Sequence, residues 1–158
     1  MMKSFFLVSV TFIGMTIWFC SAGAKAETTE TLSFIELGYR ADGSPAYTNI
    51  DVDPPGPSPG DMQVFQGDIV DTTTRKLVGH DSGWCVRTWT SKQLSECSFT
   101  LTIADGQISV QGPSDRHGET VLAVTGGTGK YSGARGELKL NSRVGVGFDN
   151  YLTYILRY

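Results

Sequence analysis

Apolar and polar residues alternate with a period of two over most of the chain beyond residue 27, the pattern of strands that bury one face. Leu32, Phe34 and Glu36 fall on one face of a first strand, with Ser33, Ile35 and Leu37 on the other, where an exposed Ile35 and Leu37 would suit a subunit contact. Further strands are expected at 46–52, 62–70, 84–90, 97–103, 107–111, 121–125, 136–142 and 151–157. Enrichment in Val, Thr, Tyr and Phe agrees with that reading. Asp105-Gly106 lies between two such runs and signals a hairpin, because a primed turn needs positive φ. The stretch 54–60 is a loop, since its prolines cannot donate to a ladder. Many short strands with regular turns mean an all-β sandwich or barrel.

The first segment stands apart from this pattern. Lys3 precedes an uncharged apolar run, 5–19, and small residues then lead to Ala24-Lys25-Ala26. That order is expected to be a secretory signal peptide over residues 1–26. The run is shorter than the roughly 20 residues a membrane helix needs, so no anchor is expected after cleavage. Cys20 would leave with the signal, and one domain would occupy 27–158 in a secreted or periplasmic setting.

Charge and cysteine content narrow the partners. Without Lys3 and Lys25, the 13 basic residues fall to 11 against 16 acidic ones, a net charge of −5. No basic patch survives, which argues against nucleic acid and anionic membrane surfaces. Cys85 and Cys97 remain, and two cysteines in an exported chain read first as a disulfide, contributing about 3 kcal/mol by closing a short loop.

Four familiar chemistries are set aside on spacing. Around Gly129-Lys130 a phosphate loop fails, because Val124 stands where its first glycine belongs and Tyr131 where Ser or Thr should follow. The dinucleotide fingerprint fails at Ser132, so 126–133 reads as a tight turn between strands. His80 and His117 lie far apart beside Asp81 and Asp115 and read as surface histidines next to turn aspartates, so no metal is expected. Asp51 and Asp53 read as solvated turn residues, and no Gly-x-Ser-x-Gly elbow occurs. Arg87 shares a face with Cys85 and Trp89 and could pair with Glu36 inside the fold or lie outside.

Several stretches together carry a resemblance. They are Gly43-Ser44-Pro45-Ala46-Tyr47, Gly60-Asp61-Met62 with Phe65, Gly83-Trp84-Cys85-Val86, Ser109-Val110-Gln111-Gly112-Pro113, Val124-Thr125-Gly126-Gly127-Thr128-Gly129 and Gly136-Glu137-Leu138-Lys139-Leu140. In order and spacing they resemble the allene oxide cyclase family, and the Val-Thr-Gly-Gly-Thr-Gly segment is also similar to dirigent proteins. The resemblance implies a single eight-stranded antiparallel β-barrel with an apolar cavity, a homotrimer as the assembly, and no cofactor. It also implies that the cavity folds a lipid-like epoxide so that ring closure gives one enantiomer, which is catalysis by orientation.

Residue by residue, the resemblance puts the charge-stabilising carboxylate at Glu36, nine residues before Pro45. It puts the water-holding pair at Ser44 and Pro45, and the cavity cysteine at Cys85. Gly38 and Gly67 stand where the cyclases carry asparagines, and Cys97 offers Cys85 a disulfide partner in place of a free thiol. Two functions follow. One is an exported isomerase or cyclase acting on a small apolar, lipid-like molecule. The other is a non-catalytic, ligand-binding or dirigent-type barrel, which the missing asparagines and the disulfide favour.

Overall fold

The computed structural model describes residues 27–52, 54–115, 119–142 and 149–158. The expected signal peptide, Cys20, Asp53 and His117 lie outside the described residues. Nine strands follow in chain order: β1 (Thr29–Glu36), β2 (Tyr47–Ile50), β3 (Met62–Asp71), β4 (Leu77–Trp89), β5 (Leu94–Ile103), β6 (Gly106–Asp115), β7 (Glu119–Gly127), β8 (Arg135–Ser142) and β9 (Asn150–Arg157). From β3 to β9 each strand pairs antiparallel with the next, β9 pairs with β1, and β1 returns to β3. Eight strands therefore close into a barrel, which leaves no open edge among them.

The ninth strand explains a feature that positions the site. β1 takes the far half of β3, with Phe34 opposite Asp71 and Glu36 opposite Ile69. β2 takes the near half, with Tyr47 opposite Phe65 and Ile50 opposite Met62. Together they form one interrupted strand along the same edge of β3. Between them the chain leaves the barrel wall and returns, held by the Leu37 N–H donating to the Asp68 carbonyl, the Ala46 N–H to Gly38, and the Gln66 N–H to Ala46. Glu36 is the last ladder residue before this break.

Alternation decides what fills the interior. Phe34, Ile69, Phe99, Leu101, Ile108, Val110, Leu122, Val124, Leu138, Leu152, Tyr154 and Leu156 point inward and form one core. They pack towards one end, where Tyr131 and Ala134 close the barrel from below. The glycine-rich stretch is thus more than a tight turn. It makes a single 3-10 turn at Gly129–Tyr131 that lowers Tyr131 into the core. Lys130 Nζ lies 2.6 Å from Glu30 Oε1 and ties the plug to β1.

The β5–β6 hairpin forms, but its loop residues are Ala104 and Asp105, since Ile103 pairs with Gly106. The positive φ falls on Gly106, at 145°. There the backbone passes so close to the Thr128 carbonyl that a side chain would collide with it. Glycine is needed for close approach as well as for the turn.

Two further expectations change. β4 begins at Leu77, well before 84, so Asp81 is a strand residue and not a turn aspartate. Ile35, expected on an exposed outer face suited to a subunit contact, is buried.

Cys85 and Cys97 face each other across β4 and β5 and form a disulfide. It closes a loop of sequence separation 12. Removing it is expected to lower stability by about 3 kcal/mol by restoring freedom to the unfolded chain. Urea denaturation of the protein with and without reductant measures this; an unchanged midpoint would contradict it.

Candidate functional site

The end of the barrel opposite Tyr131 is open. The smaller or polar inward positions Gly38, Cys85, Arg87, Ser95 and Asn150 replace the aliphatic layers there, and a cavity of about 720 Å³ results. Phe65, Phe99, Leu122 and Leu140 form its apolar walls, while Asp51, Pro57 and Asp61 stand at its mouth. Phe65 and Phe99 meet edge to face, with ring centroids 5.5 Å apart. Gly83, between them on β4, makes that contact possible, because a side chain there would collide with Phe99 and the Ser98 carbonyl.

Glu36 lines this cavity and is only 8 % exposed. Its parity with Leu32 and Phe34 turns it inward, and the end of β1 sets its depth. Asn150, directly opposite on β9, donates its side-chain N–H to Glu36 Oε2 at 2.8 Å. Asp81 on β4 also points inward and is fully buried. Its Oδ1 accepts the Gly67 N–H at 3.2 Å, while Oδ2 has no hydrogen-bond partner.

Both carboxyls converge on Gly67. A Cβ at that position would lie 2.7 Å from Glu36 Cγ, 2.9 Å from Glu36 Oε1 and 3.0 Å from Asp81 Oδ1. The absence of a side chain at Gly67 therefore has a local reason. The room an amide would need is filled by the two acids, and Asn150 supplies an amide from the opposite strand.

Burial governs the electrostatics. Desolvation pushes the Glu36 carboxyl above the usual range; the Asn150 hydrogen bond opposes this and the charge of Asp149 adds to it. Desolvation pushes Asp81 well above its ordinary value, with the Glu36 charge adding and the Gly67 N–H opposing. Tyr154, fully buried with its hydroxyl unpartnered, is likewise raised by burial first and then by the charges of Asp81 and Glu36. A low-dielectric pocket penalises the charged form of each acid, and two neighbouring negative charges penalise one another.

The other expected site residues lie elsewhere. The Ser44 hydroxyl donates to Asp42 Oδ1 at 2.6 Å and accepts from Arg40 Nη1 at 3.1 Å, within the excursion between β1 and β2. Pro45 is exposed, and neither residue is part of the cavity wall. Ser44 and Pro45 lie on the return of the chain to Ala46 and Tyr47, which do line the cavity. Cys85 lines the cavity as a disulfide sulfur, so it is not a free thiol. Arg87 meets Asp61, with Nε 3.3 Å from Oδ2, and not Glu36. Asp51 accepts the Gly56 N–H and stands at the rim. His80 is exposed, and no cluster of metal-ligating residues occurs among the described residues.

Asp81, Asn150 and Tyr154 were not singled out from sequence. Asp81 has the parity of Cys85, and Asn150 that of Leu152 and Tyr154, so extending both strands would have placed them inside.

The allene oxide cyclase family model matches residues 25–157, and the chain belongs to that family. Solved structures share the barrel. A pyocyanin demethylase is 24% identical, with a TM-score of 0.67, covering 80% of this chain and 99% of its own. A pterocarpan synthase dirigent protein is 18% identical, with a TM-score of 0.64 and coverages of 83% and 84%. An exo-specific intermolecular Diels-Alderase is 17% identical, with a TM-score of 0.65 and coverages of 85% and 100%. At these identities they establish a common fold, on which unrelated chemistries are known to sit.

Proposed function

We propose that this protein takes a small, largely apolar molecule into its open barrel and steers its cyclisation or isomerisation. The observation that carries the reading is a buried carboxyl, Glu36, on the floor of a cavity of about 720 Å³ walled by Phe65, Phe99, Leu122 and Leu140. Apolar walls supply shape and exclude water, and the buried acidic group held by Asn150 supplies a fixed electrostatic reference point. As the ligand folds against the walls, Glu36 stabilises positive charge developing at the reacting centre, an interaction strengthened by the low dielectric around it. Holding one folded conformer over others selects the stereochemical outcome.

Family membership supports this reading, as does the recurrence of the barrel in a Diels-Alderase and a dirigent protein. Ser44 and Pro45 act indirectly, by shaping the loop that brings Ala46 and Tyr47 to the wall. The Cys85–Cys97 disulfide suits an oxidising compartment, which fits the secretory leader expected at residues 1–26.

The test is a chiral product assay on the oxidised protein, with allene oxide generated in situ. Steering predicts an excess of one cyclopentenone enantiomer over the racemate formed without protein. A racemic product despite measurable ligand binding would exclude this substrate and favour the binding or dirigent-type reading.

A further inference from the structure

Two acids buried side by side pose a question of charge that the steering reading does not answer. The groups facing them can be taken element by element. From β9 come Asn150, Leu152 and Tyr154, and from β3 come Gly67 and Ile69, while Asp68 turns away to accept the Ala41 N–H. β4 contributes Asp81 itself between Gly79 and Gly83, and β5 contributes apolar Leu101 opposite it. Beside the floor, Asp149 accepts the Gly38 N–H and lies 3.9 Å from Arg75.

Among the described residues, Arg40 and Arg87 are engaged elsewhere. Arg40 donates to the Gln66 carbonyl and to Ser44, and Arg87 pairs with Asp61. Among the described residues no ion pair reaches Glu36 or Asp81. A buried carboxylate without a counter-charge is costly, and two together cannot both be sustained.

We infer that Glu36 and Asp81 hold one proton between them at neutral pH, and that it resides on Asp81, leaving a single negative charge on Glu36 at the cavity floor. The two surroundings separate the roles. Asp81 is fully buried, lies outside the cavity lining, receives one backbone N–H and has an oxygen with no acceptor role filled. Glu36 borders the cavity and receives the Asn150 amide at 2.8 Å. The group with more solvent and the better donor carries the charge; the sealed group carries the proton.

Asp81 is therefore a positioning residue. It never meets the ligand, but it limits the floor to one negative charge. Resting on the steering reading, this defines the ligand class further. The end that reaches Glu36 is neutral or develops positive charge and is not itself a carboxylate, which the charged floor would repel. The proton assignment does not depend on that consequence.

The experiment is infrared spectroscopy of the unliganded protein at neutral pH, where exposed carboxyls are ionised. One carbonyl stretch of a buried un-ionised acid is expected. It should move to lower wavenumber with 13C-carboxyl-labelled aspartate, stay in place with labelled glutamate, and vanish in Asp81→Asn. A band that moves with the glutamate label, two such bands, or none would each overturn the assignment. Since no ligand is present, those outcomes leave the steering reading standing. A racemic product would instead remove steering and leave the proton where it is.

Discussion

Replacing Glu36 by glutamine is expected to leave the barrel folded and the cavity occupied, while the enantiomeric excess collapses. Glutamine keeps the length and shape of the side chain, and its amide oxygen can still accept from Asn150 Nδ2, now 2.8 Å from Glu36 Oε2. The apolar walls of Phe65, Phe99, Leu122 and Leu140 are untouched. What disappears is the charge that meets the developing positive centre. Removing one such fixed electrostatic group typically costs about 10²–10³ in kcat. Loss confined to the transition state lowers kcat and kcat/KM together and spares ligand affinity. Product analysis beside a ligand-binding titration checks both halves. Full selectivity in Glu36→Gln would show that shape alone steers, and would remove the assigned role.

Stability should fall as pH rises from the carboxylate range towards neutrality, opposite to the usual behaviour of a protein with paired carboxylates. Glu36 and Asp81 are both raised in the folded state, from 4.5 and 3.8 respectively, chiefly by burial. A raised acid binds more proton folded than unfolded between its two pKa values. Its favourable state is therefore complete below the unfolded value and is lost as pH climbs towards the folded one, by up to about 1.4 kcal/mol per pH unit for each such group. Asp42, Asp61 and Asp71 are lowered by hydrogen bonds in their turns, so they act in the other direction, with losses only as pH falls below the unfolded value. All three have an ordinary value of 3.8, so their losses fall at lower pH than the decline set by Glu36 and Asp81.

Urea midpoints measured between about pH 4.5 and pH 7.5 should decline for the native protein. They should be flatter for Asp81→Asn, whose amide can still accept the Gly67 N–H without carrying charge. Equal slopes in the two proteins would mean that Asp81 is ionised without penalty, and the account of the floor would fail.

Much of the barrel was legible in the chain because a strand in a closed sheet needs one apolar face, and a period of two records it directly. The runs 62–70 and 136–142 show this, differing from β3 and β8 by a residue at one end. Hairpin glycines and the cluster at 54–60 marked the connections for local steric reasons. Glu36 could be placed inward because Leu32 and Phe34 share its parity.

Tertiary structure alone decided the rest. Asp81 lies 45 residues beyond Glu36 in the sequence numbering, and nothing in either neighbourhood tells that the closing β1–β3 pairing and the β3–β4 register bring both acids to Gly67. Tyr131 looked like part of a turn, yet barrel closure leaves an end that needs a plug. Ser44 reads in sequence as a residue of the site, and only the folded excursion shows its hydroxyl bonded to Asp42 and Arg40 and set outside the cavity lining. Alternation along a strand states which face is buried. Which buried groups become neighbours, and so which charges must share a proton, depends on strand order and register, and these are set by the whole closed sheet.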